Sequence, residues 1–221
     1  MATGGVGDGR AAAPETVAEW LAARIPGAGG PARQRLSEGM RELGAVDRAV
    51  YEAVAATPTP ILDAPMRRLS GAADKSRIWL AVAGMLAVAG GPRGRQAAIR
   101  GLLAIGTTSA LVNLGVKPIY FRPRPDRADA GVPGPRQVRM PASTSFPSGH
   151  SASAFAFATA VGRDEPLLGV PLRVAAAAVA YSRVHTGVHY PGDAVAGALI
   201  GASTGQAIAH MQGHWRRKRP A

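Results

Sequence analysis

Residues 101–125 read GLLAIGTTSALVNLGVKPIYFRPRP. An uncharged run from Gly101 to Val116 ends abruptly in Lys117, Arg122 and Arg124. Four more segments of this kind surround it: IWLAVAGMLAVAGGP (78–92), SASAFAFATAVG (151–162), PLLGVPLRVAAAAVAYS (166–182) and AVAGALIGASTGQAIAHMQGHW (194–215). Their lengths fall at or below the ~20 residues a spanning helix usually needs. The reading is all-α: a multi-span transmembrane helical bundle with the active site at one membrane face. The competing reading is a soluble bundle of Ala-rich buried helices. Two features favour the membrane. Gly197, Gly201 and Gly205 recur at four-residue spacing, a ridge that lets helices approach closely in lipid. Alternating the five segments also gathers Arg93, Arg95, Arg100, the RDEP turn (163–166) and the RRKRP tail (216–220) at one end, which the positive-inside tendency makes cytoplasmic.

Composition agrees with this. Apolar residues make up 47% of the 221 positions but aromatics only 5%, and the formal net charge is +12. The arginines are spread out and flank apolar segments, without any nucleic-acid-binding motif, so nucleic acid is set aside as a partner. A bilayer surface or a phosphorylated substrate remains. The chain has no cysteine, which excludes disulfides, thiolate metal sites and a cysteine nucleophile. The first twenty residues lack the basic start and apolar stretch of a signal peptide, so internal segments are expected to carry the chain to the membrane. The organisation reads as a Gly/Ala-rich tail (1–35, with a short helix over 14–25), amphipathic interfacial helices (36–74) broken near Thr57 by TPTP, a membrane-embedded core (75–215) and a basic tail (216–221).

The opposite end collects three polar stretches: KPIYFRPRP (117–125), PSGH (147–150) and SRVHTGVHYPGD (182–193). They supply Lys117, Arg122, Arg124 and Arg183 as cations, and Ser148 and Gly149 where a helix begins and its free amides face outward. Cations around a helix N-terminus suit a phosphate-sized anion. His185, His189 and Asp193 have metal-ligand spacing, but Pro191-Gly192 interrupts a continuous helix, so no metal site is assigned. A helix starting near Pro191 instead lets Asp193 fix the tautomer of His189 and free its other nitrogen as a nucleophile. His185 reads as a structural or supporting group.

Three spacings occur in order: Lys117, six residues, Arg124-Pro125; Pro147-Ser148-Gly149-His150; and Ser182-Arg183, five residues, His189, three residues, Asp193. Together they resemble the three-part signature of the type 2 phosphatidic acid phosphatase superfamily. The resemblance covers residues 117–193 and selects Arg124 over Arg122. It implies that His189 attacks phosphorus and forms a phosphohistidine, with Asp193 orienting it. His150 would protonate the leaving oxygen and then activate water. Lys117, Arg124, Ser148, Gly149 and Arg183 would hold the phosphoryl oxygens. No cofactor or metal is implied. The expected substrate is a membrane lipid phosphate, first a polyprenyl diphosphate, then phosphatidic acid or a prenyl-linked sugar phosphate. The expected location is a multi-pass position in the cell membrane with the site on the extracytoplasmic side. Arg136 and Arg139 are read as candidates for further phosphate contacts. The other readings are a vanadate-dependent haloperoxidase and a membrane protein that only binds anionic lipid. The residues carry no signature of an oligomeric state.

Overall fold

The computed structural model of the chain describes residues 31–217. The expected helix over 14–25 and the last residues of the basic tail lie outside them. Among the described residues there are seven helices of more than one turn: α1 (Pro31–Ala56), α2 (Pro60–Ala72), α3 (Arg77–Ala89), α4 (Gly91–Ala110), α5 (Gly149–Asp164), α6 (Pro166–His185) and α7 (Pro191–Arg217). A π-helical turn at Leu111–Val116 and a last turn at Lys117–Ile119 extend α4. The described residues contain no strand.

Proline sets several boundaries. Pro58 disfavours a helical Thr57, so α1 stops at Ala56, and Pro60 restarts the helix in its first turn. Helix α1 begins at Pro31, inside the stretch read from sequence as a tail. Pro166 and Pro191 open α6 and α7 in the same way.

Helix α5 is the hub, packed against α4, α6 and α7, and Ala152, Ala154, Ala156, Phe157, Ala158, Ala160 and Val161 on it are all buried. A helix enclosed on every side is apolar all round. Small residues permit the close approach. A Cβ on Gly197, Gly201 or Gly205 of α7 would run into the backbone carbonyls of Ser148, Ala152 and Ala156. Trp79 of α3 meets Phe157 of α5 at 5.5 Å between ring centroids, filling the side where α3 covers the core.

Two helical stretches are long and apolar enough to cross a membrane, Gly91–Ile119 and Pro166–His185. Only 28% and 39% of their apolar windows are buried, whereas the core helix of a soluble bundle is mostly buried. Ile99, Leu102, Leu103, Leu111 and Leu114 point outward from the first, and Leu167, Val170 and Val174 from the second. Helices α3 and α5, with 13 and 16 residues, are shorter than a usual span.

The antiparallel course gives the bundle two different ends. Towards one end Arg100 Nη1 meets Asp164 Oδ1 at 2.5 Å, joining the middle of α4 to the last residue of α5. At the other lie the end of α4, the start of α5, the end of α6 and the start of α7.

Candidate active site

Lys117, Arg124, Gly149, His150 and His189 line one cavity of about 220 Å³, walled also by Lys75, Ser76, Trp79 and Asn113. Ser148, Arg183 and Asp193 are buried around it and do not line it.

His189 reaches this position through a tight reversal after α6. Gly187 takes φ +72°, a left-handed conformation that glycine adopts without strain, and Val188 N and His189 N return to the Arg183 carbonyl. The His189 ring is 2% exposed. Its Nε2 lies 3.3 Å from Arg124 Nη1. Nδ1 is buried without a hydrogen-bond partner, 3.5 Å from Asp193 Oδ2. That separation is an electrostatic contact, longer than a formed hydrogen bond. Burial pushes the imidazole down to about 4, Arg124 and Arg183 push the same way, and Asp193 opposes them. At neutral pH His189 is therefore uncharged, as a nucleophilic nitrogen must be.

Asp193 is held on several sides. Oδ1 receives Arg122 Nη1 at 2.7 Å, while Oδ2 accepts the Ser145 hydroxyl and, at 2.9 Å, Tyr190 N. Arg122 also pairs with Asp47 of α1 at 2.7 Å and stacks over the Tyr190 ring at 4.2 Å. The two arginines of RPRP thus separate in position: Arg124 faces the cavity and Arg122 the carboxylate behind it.

Arg124 ties the 141–145 segment to the α6–α7 turn. It donates to the carbonyls of Ser143 (2.8 Å), Val188 (2.7 Å) and Thr144 (3.2 Å), with a longer contact to Ser143 Oγ (3.3 Å). Lys117 Nζ also meets Ser143 Oγ, at 3.1 Å. Ser148 caps α5: its Oγ accepts from Ser151 N, and its own N–H goes to the Asp193 carbonyl. Its hydroxyl lies behind the cavity wall, at the α5–α7 contact.

His150 lies in the first turn of α5, with Nε2 2.8 Å from Asp74 Oδ1. Asp74 belongs to the short turn between α2 and α3. Arg183 Nη1 donates to Ser70 Oγ at 2.5 Å and lies 3.8 Å from Asp74, while its Nε is buried without a partner. Asp74, Ser70, Asp47, Ser143 and Ser145 were not picked out by sequence reasoning. They sit in polar or mixed stretches whose spacing carries no signal.

One arginine reading changes, while His185 sits where a supporting group would. His185 is buried and turned to Asp63, at 3.2 Å, in a supporting position. Arg136, read as a further phosphate contact, is 1% exposed and pairs with Asp63 at 2.7 Å. Its Nη groups donate to the carbonyls of Val54, Ala55 and Thr57, so it satisfies the open C-terminal end of α1 and is not free for substrate. Among the described residues no group of three His, Asp or Glu stands ready to hold a metal ion.

Residues 98–217 match the family model described as PAP2 superfamily. The decaprenylphosphoryl-5-phosphoribose phosphatase of Mycobacterium tuberculosis H37Rv is 32% identical over 161 residues, covering 72% of this chain and 86% of that protein. The protein of the same name from Mycolicibacterium smegmatis is 34% identical over 169 residues, covering 73% and 84%. Among solved structures, the transmembrane PAP2 type phosphatidylglycerolphosphate phosphatase of Bacillus subtilis superposes with a TM-score of 0.62 at 23% identity, covering 80% of this chain and 90% of that one. LpxE of Aquifex aeolicus gives 0.60 at 23% identity, covering 75% and 95%. These two likenesses concern the fold.

Proposed function

The chain belongs to the PAP2 superfamily of phosphoric ester hydrolases, and from that premise we propose that it is a membrane lipid phosphatase acting on the phosphate monoester of a prenyl-linked sugar phosphate. The observation that carries the reading is the convergence of His189, His150, Lys117 and Arg124 on one cavity. The curated relatives favour the sugar-phosphate substrate over the polyprenyl diphosphate expected first.

The chemistry runs in two steps. His189 Nε2 attacks phosphorus, and an N–P bond forms as the P–O bond to the sugar breaks. The leaving oxygen takes a proton from His150. Water then gives a proton to His150 and attacks phosphorus, releasing phosphate and restoring His189. Asp193 stabilises the positive charge that develops on the ring, and a slight ring rotation brings its oxygen into hydrogen-bonding range of Nδ1. Lys117, Arg124, Arg183 and the α5 amide at Gly149 offset charge on the phosphoryl oxygens. The long Arg124 contacts to Ser143 Oγ and His189 Nε2 are the ones an entering anion displaces most readily.

The same family fold and the outward apolar side chains of α4 and α6 support a multi-pass position in the bilayer, with the cavity at the extracytoplasmic end. The deciding assay gives detergent-purified protein decaprenylphosphoryl-5-phosphoribose, undecaprenyl diphosphate and phosphatidic acid, in EDTA, and measures released phosphate. Fastest release from the sugar phosphate is expected, and loss of all turnover in His189→Asn. Faster turnover of the diphosphate would overturn the substrate, and retained activity in His189→Asn would overturn the nucleophile.

A further inference from the structure

Residues 31–76 lie outside the stretch that matches the family model, yet polar groups around the site find their partners there. Asp47 of α1 binds Arg122 at 2.7 Å and accepts from Gly192 N at 2.6 Å. Ser70 of α2 takes Arg183, and Asp74 takes His150. Each of the two histidines in the cavity is thus linked to a carboxylate from the N-terminal helices, one directly and one through Arg122 and Asp193.

We propose that Asp47 and Asp74 are positioning residues for the two halves of the reaction, Asp47 for the nucleophile His189 and Asp74 for the proton donor His150. The proposal rests on the phosphatase reading above.

Asp47 acts at two points on the same element. Arg122 sits between Asp47 and Asp193, and each carboxylate occupies one Nη of its fork. Without Asp47 the fork loses one anchor, and Asp193 loses a fixed counter-ion. The bond to Gly192 ties α1 to the first turn of α7, the turn that carries Asp193. A Cβ on Gly192 would meet the Asp47 carboxylate, so the two elements are in close contact. Tyr51 of α1, edge-on to Tyr190 at 5.4 Å, holds the same junction.

Asp74 acts on the other histidine. Its turn keeps Lys75 and Ser76 at φ 53° and 60°, a left-handed conformation uncommon for side-chain-bearing residues, and both line the cavity. With Nε2 of His150 committed to Asp74, Nδ1 is the nitrogen that hands its proton to the leaving oxygen, while Nε2–H stays with the carboxylate. Burial and the Arg183 charge hold the His150 imidazole down to about 4, and the Asp74 carboxylate on the far nitrogen works against them, favouring the imidazolium that can give that proton. The leaving group then takes the electron pair of the broken P–O bond and the proton together. A nitrophenolate needs no such proton, whereas an alkoxide does.

That difference supplies the test. Full-length wild type, Asp74→Asn, Asp47→Asn, Arg122→Gln and the Asp47→Asn/Arg122→Gln double variant are assayed by kcat/KM on decaprenylphosphoryl-5-phosphoribose and on p-nitrophenyl phosphate. Asp74→Asn is expected to lose about 10–100-fold on the prenyl-linked sugar phosphate and far less on p-nitrophenyl phosphate, consistent with a weakened general acid. Asp47→Asn is expected to lose about 10-fold on both, and the double variant no more than its worse single variant, as coupled residues do. Equal losses for Asp74→Asn on the two substrates would overturn its role, and additive losses in the double variant would overturn that of Asp47. Asp74→Glu, which keeps the charge, covers the case in which Asp74→Asn does not fold. It is expected to restore turnover of the prenyl-linked sugar phosphate relative to p-nitrophenyl phosphate, and a loss shared by both substrates counts against the proposal. Wild type inactive on both substrates would instead sink the phosphatase reading itself.

Discussion

Burying an imidazole near two guanidinium groups and one carboxylate makes His189 a base that is hard to protonate. Its folded value of about 4 lies below the ordinary 6.5. Between those two pH values the unfolded chain binds a proton that the folded chain does not. The contribution of His189 to stability is therefore fully present above about pH 6.5 and falls away as pH drops toward 4. Thermal unfolding in detergent should show this as a midpoint that declines across that window, with a shallower decline in His189→Asn. Direct titration of the ring by NMR should give a midpoint near 4, and a midpoint near 6.5 would mean that burial does not govern this group. In Asp193→Asn the one opposing influence is gone, so the ring should protonate at still lower pH.

At the scale of elements, the site depends on how closely α5 and α7 approach, because one carries His150 and the other Asp193. The contact is a row of glycines against backbone carbonyls, which leaves no room for a side chain at Gly201. Gly201→Val should separate the helices at a cost of about 1–3 kcal/mol, as overpacked interfaces do, and should remove activity with it. A Cβ added at Gly106 of α4 would meet nothing within 4 Å. Gly106→Ala should therefore hold or raise the thermal midpoint, since alanine favours helix by about 1 kcal/mol over glycine. Comparing the two midpoints by circular dichroism checks both. The glycine row and the five apolar segments were legible in the sequence because helical periodicity and uncharged length are one-dimensional signals. The cavity histidines and cations were legible because they stand at the ends of those segments, in fixed spacings. Asp47 and Asp74 were not. They lie among alternating charges of amphipathic helices, where only the packing of α1 and α2 against the core decides which carboxylate meets a buried cation. Arg136 misled for the same reason: a loop arginine looks available until the end of α1, distant in sequence, takes it up.

Across the whole molecule, charge and polarity divide between the two ends of the bundle. Arg93, Arg95, Arg100 and Arg163 gather at the end away from the cavity, where Arg100 is neutralised by Asp164 and the others add net positive charge. The cavity end also carries cations: Arg122 and Arg136 are paired with Asp47, Asp193 and Asp63, Arg183 is buried, and Lys75, Lys117 and Arg124 line the cavity, where an anion would meet them. Loop cations beside a span resist transfer across a bilayer, which supports the proposed orientation, with the Arg93 and Arg95 end in the cytoplasm and the cavity on the opposite side. A chain without cysteine allows a clean test. Arg95 and Asp129 are exposed at opposite ends, and each can be replaced singly by cysteine. A membrane-impermeant maleimide applied to intact cells should label Asp129→Cys, while Arg95→Cys should react only after permeabilisation. The reverse pattern would turn the cavity toward the cytoplasm, and labelling of both in intact cells would mean that α4 does not cross.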